Sequence, residues 1–262
     1  MKTAILRHWQ INQNEHEHEP YSHPDSYSYS YSYSYTYTTL TNMTRATIKL
    51  DLFGECANPA GEEPLADGAV ILRGFVADDV ALLEAVAAIT AQAPFRHLVT
   101  RGGFKMSVAM TNCGALGWVS DRRGYRYETA DPASGLPWPA MPAVFRQLAR
   151  AAAERAGFPD FAPDACLINE YAVGARMGLH QDHDEGDLAP PIVSVSLGIP
   201  AMFLFGGLER TDPALRTPLF HRDVVVWGGP SRLKFHGVLP LKPATHALTG
   251  ARRINLTFRA AR

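Results

Sequence analysis

The chain of 262 residues predicts a mainly β fold, a barrel or jelly roll with flanking helices, from three observations. Two helical patterns come early, and many short β-rich segments separated by Gly and Pro come later. The last of those segments alternates polar with apolar residues, so one face of a strand carries two arginines, an asparagine and a threonine.

Taken in order, residues 1–47 stand apart as a low-complexity tail. Residues 26–38 alternate Tyr with Ser or Thr, and seven of the ten tyrosines lie in the tail. Period-2 alternation can mean a strand, but with no partner sheet in view it reads here as disorder. The tail lacks the apolar stretch of a secretory signal, and Met43 is an alternative start. One domain is expected over residues 48–262. Asp78 or Asp79 caps a first helix whose stripe is Val80, Leu83, Val86 and Ile89. Pro142 suits the first turn of a second helix that stops at Gly157. Strands are then expected at 165–171, 192–197, 202–205, 224–227 and 253–259.

Composition narrows the function. Apolar residues make up 46% of the chain, enough for a proper core. Lys and Arg number 25 against 26 Asp and Glu, a formal charge of −1, so any nucleic-acid contact must come from a local patch. Cys56, Cys113 and Cys166 form neither a zinc pattern nor a disulfide framework, which fits a reducing cytosol. No apolar run approaches the roughly 18 to 20 residues that span a bilayer. A cytoplasmic monomer without a membrane partner is expected.

His180 and Asp182 are two apart, so on an extended segment they point the same way. His236, far along the chain, would complete a His₂-carboxylate set that covers one face of Fe(II) and leaves positions open for O₂ and a co-substrate. A zinc hydrolase uses the same donors, so this triad alone leaves both chemistries open. The strand at 253–259 shifts the balance. Arg253, Asn255, Thr257 and Arg259 share one face, and Ile254, Leu256 and Phe258 share the other. Two arginines pointing into a barrel are costly unless anions neutralise them. Guanidinium forks hold carboxylates bidentately, so the pair suits a short dicarboxylate.

At this point the residues resemble the AlkB family of iron(II)- and 2-oxoglutarate-dependent dioxygenases, in its bacterial DNA-repair branch. The resemblance runs from about residue 50 to 259. It includes Ser107-Val108-Ala109-Met110-Thr111-Asn112-Cys113-Gly114, Leu116-Gly117-Trp118, Pro137-Trp138-Pro139 and Val224-Val225-Val226-Trp227-Gly228-Gly229. It implies a double-stranded β-helix with N-terminal helices and a nucleotide-recognition lid. It implies that His180, Asp182 and His236 are the iron ligands and that O₂ is a co-substrate. Arg253 and Arg259, with Asn169, Tyr171 and Asn255, would hold 2-oxoglutarate, Arg253 on its distal carboxylate. The chain departs from the family pattern at His183, where Lys is familiar, and at Arg101, where Pro is familiar.

A local charge map points the same way. Arg96, Arg101, Lys105, Arg122, Arg123 and Arg126 stand against one acid, Asp121, beside Trp118, Tyr125 and Tyr127. Cations for phosphates and aromatics for a base suit single-stranded or flipped-base DNA, with RNA as a further partner. By resemblance, Trp118 is the base-stacking platform opposite His180, and Tyr125 and Tyr127 contact the nucleotide backbone. Asp184 reads the base edge or its cationic charge, and Arg210 assists on the other wall. The expected reaction is oxidative demethylation of N1-methyladenine and N3-methylcytosine, releasing formaldehyde, succinate and CO₂.

Overall fold

A computed structural model describes residues 60–262 and two short strands before them. Those two are β1 (Ser34–Tyr37) and β2 (Ala46–Lys49), which pair antiparallel with Tyr35 opposite Ile48. The end of the Tyr-Ser-Thr alternation therefore does find a strand partner, against the expectation from sequence. The rest of the expected tail lies outside the described residues. The chain divides into two units, Met1–Ala57 and Asn58–Arg262.

The second unit begins with β3 (Gly61–Ala66) and β4 (Ala69–Arg73), then helix α1 (Asp79–Gln92). Next come β5 (Arg96–Val99), β6 (Lys105–Gly114), the hairpin β7 (Gly117–Asp121) and β8 (Gly124–Glu128), and helix α2 (Ala143–Arg155). The remaining strands are β9 (Ala165–Ala172), β10 (Met177–His180), β11 (Ile192–Gly198), β12 (Ala201–Phe205), β13 (Leu215–Leu219), β14 (Val224–Trp227), β15 (His236–Val238) and β16 (Arg252–Arg259). Eight strands form one sheet in the order β3-β4-β14-β11-β16-β9-β6-β5, and four form another in the order β10-β15-β12-β13. This is the expected jelly roll. All five expected strands are present.

Helix α1 starts where Asp78 accepts a hydrogen bond from the Ala81 amide at 2.9 Å, which decides between the two candidate caps. Its buried residues are Leu82, Val86 and Ile89, while Val80 is exposed. The expected stripe is thus corrected at its N-terminal end, because a helix so rich in Ala, Val and Leu gives periodicity little contrast. Pro142 is the N-cap of α2 rather than a first-turn residue, and Gly157 follows the helix with φ +88°.

Two apolar layers form around the large sheet. On one face, Ile254, Leu256 and Phe258 pack with Val193, Val195, Leu197 and residues of both helices; Phe145 meets Phe258 edge-on at 5.8 Å. On the other face, Ile71, Val225, Trp227 and Tyr171 pack with Phe203, Phe205, Leu219 and Val238 of the small sheet. Each such large side chain contributes about 1.5–3 kcal/mol by leaving water. The polar face of β16 is directed into this second layer, where the site lies.

Candidate active site

Register brings the two histidines together. Across the β10–β15 ladder His180 lies opposite His236, with their ring centroids 4.4 Å apart. Strand β10 ends at His180, so Asp182 belongs to the segment that follows. The carboxylate nevertheless returns to both rings: His180 Nε2 lies 3.6 Å from Oδ1 and His236 Nε2 lies 3.8 Å from Oδ2. One donor atom from each residue falls within a group no wider than 4.8 Å.

The ring protons are oriented for ligation. His180 Nδ1 is 2.9 Å from the Gly178 carbonyl and His236 Nδ1 is 3.1 Å from the Lys234 carbonyl. A carbonyl only accepts, so each Nδ1 donates and each Nε2 keeps its lone pair toward Asp182. Burial, with His180 next to it, pushes the His236 imidazole down to about 4, so it is neutral near pH 7. Burial opposes ionisation of Asp182, but Arg259, His236 and His180 together hold its carboxyl well below the usual range.

The arginine strand sits as its alternation predicted. Arg253, Asn255, Thr257 and Arg259 are all buried and line one cavity with His180 and His236. Arg253 is only 2% exposed, and one of its nitrogens, Nη2, donates to Ser196 Oγ at 2.9 Å. Its Nε and Nη1 are buried without a hydrogen-bond partner, while Tyr171 lies under the guanidinium at 5.0 Å. Burial lowers the basicity of Arg253, offset by Tyr171. Two orphaned donors on a buried cation are what a carboxylate ligand would satisfy. Asn169 donates to Asn255 Oδ1 at 3.2 Å, and its own Oδ1 is likewise orphaned. Asn255 in turn donates to Ser194 Oγ at 2.8 Å and the Val195 carbonyl at 2.9 Å. Arg259 differs from Arg253, because Nε and Nη2 both donate to Asp182 Oδ2. The donor set and the orphaned guanidinium therefore fit a metal with a dicarboxylate beside it.

Behind the triad stand residues that the sequence did not single out. Glu185 accepts from Tyr127 Oη at 2.7 Å and pairs with Arg259 at 3.2 Å and Arg232 at 3.1 Å. Arg232 also donates to the Asp182 carbonyl at 2.7 Å. The hydroxyl of Tyr127, the residue expected at the nucleotide backbone, donates into this network, and burial raises its pKa. No spacing rule marks Glu185 or Arg232, since their partners come from three separate segments. Buried charge is affordable here because each carboxylate faces a guanidinium.

The hairpin places the other expected residues. Trp118 stacks on Tyr125 at 5.5 Å and 20°, and its Nε1 donates to Asp184 Oδ2 at 2.9 Å. Tyr125 is 46% exposed. His183 Nδ1 lies 3.1 Å from Asp184 Oδ1. Arg210 donates to the Leu179 carbonyl at 2.6 Å and lies over Phe235 at 5.0 Å, residues next in sequence to His180 and His236. The basic stretch is partly internal: Arg96 pairs with Asp131, and Arg123 and Arg126 pair with Asp121. Arg101, Lys105 and Arg122 have no acidic partner among the described residues.

The chain is similar to known proteins. The pattern of the 2OG-Fe(II) oxygenase superfamily matches residues 68–259. The alpha-ketoglutarate-dependent dioxygenase AlkB of Escherichia coli is 58% identical over 213 residues, covering 81% of this chain and 98% of that protein. The chain belongs to the AlkB family. The AlkB protein of Salmonella typhimurium is 57% identical with the same coverage. The DNA N(6)-methyladenine demethylase ALKBH1C of Arabidopsis thaliana is 35% identical over 55% of this chain and 37% of its own length. The solved structure of OsALKBH1 superposes with a TM-score of 0.68 at 32% identity, covering 76% of this chain and 99% of that one. As an AlkB protein, this chain is an Fe(II)- and 2-oxoglutarate-dependent dioxygenase. No helix among the described residues is long and apolar enough to cross a membrane.

Proposed function

We propose that this dioxygenase repairs alkylated nucleobases, removing methyl groups from N1-methyladenine and N3-methylcytosine in single-stranded or flipped-base DNA, and in RNA. The observation that carries the reading is the adjacency of two sites. The ligand Asp182 is followed two residues later by Asp184, which accepts from the indole of Trp118. An aromatic face and a carboxylate are thereby set beside the metal-ligating segment.

His180, Asp182 and His236 would hold the iron, and Arg253, Arg259, Asn169, Tyr171 and Asn255 would hold 2-oxoglutarate. Iron bound there with 2-oxoglutarate and O₂ supplies the oxidising power that hydroxylates an N-methyl carbon, with succinate and CO₂ as co-products. The protein's share is placement. Trp118 stacks the base, with Tyr125 behind it. Asp184 favours a base that carries positive charge, as adenine methylated at N1 and cytosine methylated at N3 do. Arg210 closes the opposite wall. Arg101, Lys105 and Arg122 lie free for phosphates. A damaged base also pairs poorly, so extruding it costs less. The hydroxymethyl group then leaves as formaldehyde. Buried free thiols at Cys113 and Cys166 suit a reducing cytoplasm, where the enzyme acts as a monomer.

Mass spectrometry of an oligonucleotide bearing N1-methyladenine, incubated with iron, 2-oxoglutarate and air, tests this directly. Loss of the mass of one CH₂, a methyl replaced by hydrogen, with one equivalent of formaldehyde is expected. His180→Ala, Asp182→Ala and His236→Ala should each abolish it. An unchanged oligonucleotide beside consumed 2-oxoglutarate would point to another substrate.

A further inference from the structure

Trp118 is held from two directions, and one of the holders has no assigned role. Asn112 lies on β6, within the eight-stranded sheet, opposite Leu167 of β9. Its side chain reaches across to the hairpin and grips the backbone of a single residue. Its Nδ2 donates to the Trp118 carbonyl at 2.9 Å, and its Oδ1 accepts from the Trp118 amide at 3.0 Å. Asn112 is 2% exposed, so neither bond has water as a ready substitute.

Few side chains can do this. The clamp needs one donor and one acceptor at the end of a two-carbon reach, which is a carboxamide of this length. Asp lacks the donor, and Leu lacks both. Gly117 completes the fit. A Cβ there would lie 2.9 Å from Asn112 Cβ and 2.4 Å from the Trp138 ring, so any side chain would push the hairpin away from the clamp. At the far end of the indole, Asp184 receives Nε1–H. The ring is thus referenced to the sheet through its backbone and to the metal-bearing segment through its tip.

We infer that Asn112 is a positioning residue for nucleobase recognition, fixing the height and tilt of the Trp118 ring through the two bonds to its backbone. The inference rests on the reading of Trp118 as the stacking platform. Asn112 belongs neither to the His-Asp-His triad nor to the lining of the cavity beside it, so its effect would pass through Trp118.

A double-mutant cycle tests that. The holoprotein is prepared with Mn²⁺ in place of iron and with 2-oxoglutarate. Its binding to a single-stranded oligonucleotide carrying N1-methyladenine is read by fluorescence anisotropy. Loss of stacking in Trp118→Ala should weaken binding on the order of ten- to a hundredfold. Asn112→Asp should weaken it about tenfold, yet add nothing in the Trp118→Ala background. In the same variants prepared with Mn²⁺ but without 2-oxoglutarate, calorimetric affinity for 2-oxoglutarate should stay within about twofold of the parent, which general damage to the fold would not allow. Asn112→Gln, which keeps both amide functions one carbon further out, should recover part of the loss, and it supplies the cycle if Asn112→Asp does not fold. Additive losses, or parental binding by Asn112→Asp, overturn the inference and leave the platform standing. Parental binding by Trp118→Ala overturns the platform reading, and the inference with it.

Discussion

Arg259 donates Nε and Nη2 to one oxygen, Oδ2 of Asp182, at 3.0 and 2.6 Å. The guanidinium thereby fixes the rotamer of the only carboxylate in the metal triad. Burial opposes the charge on Arg259, but Asp182, Tyr127 and Glu185 together raise its pKa.

Lysine at that position keeps the charge and loses the fork. Arg259→Lys should weaken metal binding by about 10- to 100-fold, as loss of an outer partner of a metal ligand commonly does. Titration of Co²⁺ into metal-free protein, followed by its absorption bands, measures this. Parental affinity would show that Asp182 needs no such support.

Arg253 carries a different expectation, because it does not contact the triad. Arg253→Lys removes the orphaned donors that await a carboxylate. The KM for 2-oxoglutarate should rise about tenfold or more with Co²⁺ affinity preserved, since a charged hydrogen bond is worth about 1.5–3 kcal/mol. Steady-state kinetics and the same Co²⁺ titration separate the two arginines; equal effects on both ligands would refute the division of labour.

The neutral burial of His236 implies acid sensitivity of the metal-free protein. Its imidazole moves from the ordinary 6.5 to about 4 on folding. Between those values the unfolded chain binds more protons than the folded one, so stability falls as pH falls. The contribution is fully present above pH 6.5 and gone below about pH 4, and it amounts to about 3 kcal/mol. Urea unfolding across this range should show the decline in the parent and a flatter profile in His236→Asn. Parallel profiles would remove His236 as the source.

Gly117→Ala should be costly despite its small size. The new methyl meets Trp138 and Asn112, and overpacking of this kind destabilises by about 1–3 kcal/mol. Thermal unfolding gives the loss, and oligonucleotide binding should fall with it. A variant that melts like the parent would mean that the hairpin root can shift freely.

Much of the site was legible in the sequence because its chemistry follows local periods. Arg253, Asn255, Thr257 and Arg259 share a face for the same reason that Ile254, Leu256 and Phe258 share the other. His180 and Asp182 were marked by adjacency. The pairing of His180 with His236 was not, because only a register between distant strands sets it. The inward hydrogen bond of Tyr127 was hidden for a related reason. Alternation along β8 says which way a side chain leaves the strand, but not that Glu185 waits there. Strands such as β6 escaped notice because Lys105, Ser107, Thr111 and Asn112 interrupt its apolar pattern; the last two are buried and satisfied by tertiary partners.

The hairpin that carries Trp118 and Tyr127 is bonded to Asp184 and Glu185, close in sequence to Asp182 of the triad. Selectivity and reactivity are therefore not separable modules in this enzyme. Attempts to broaden its range of adducts by remodelling that hairpin should disturb the iron centre as well, and compensating changes would be best sought at Glu185 and Arg232 rather than in the hairpin itself.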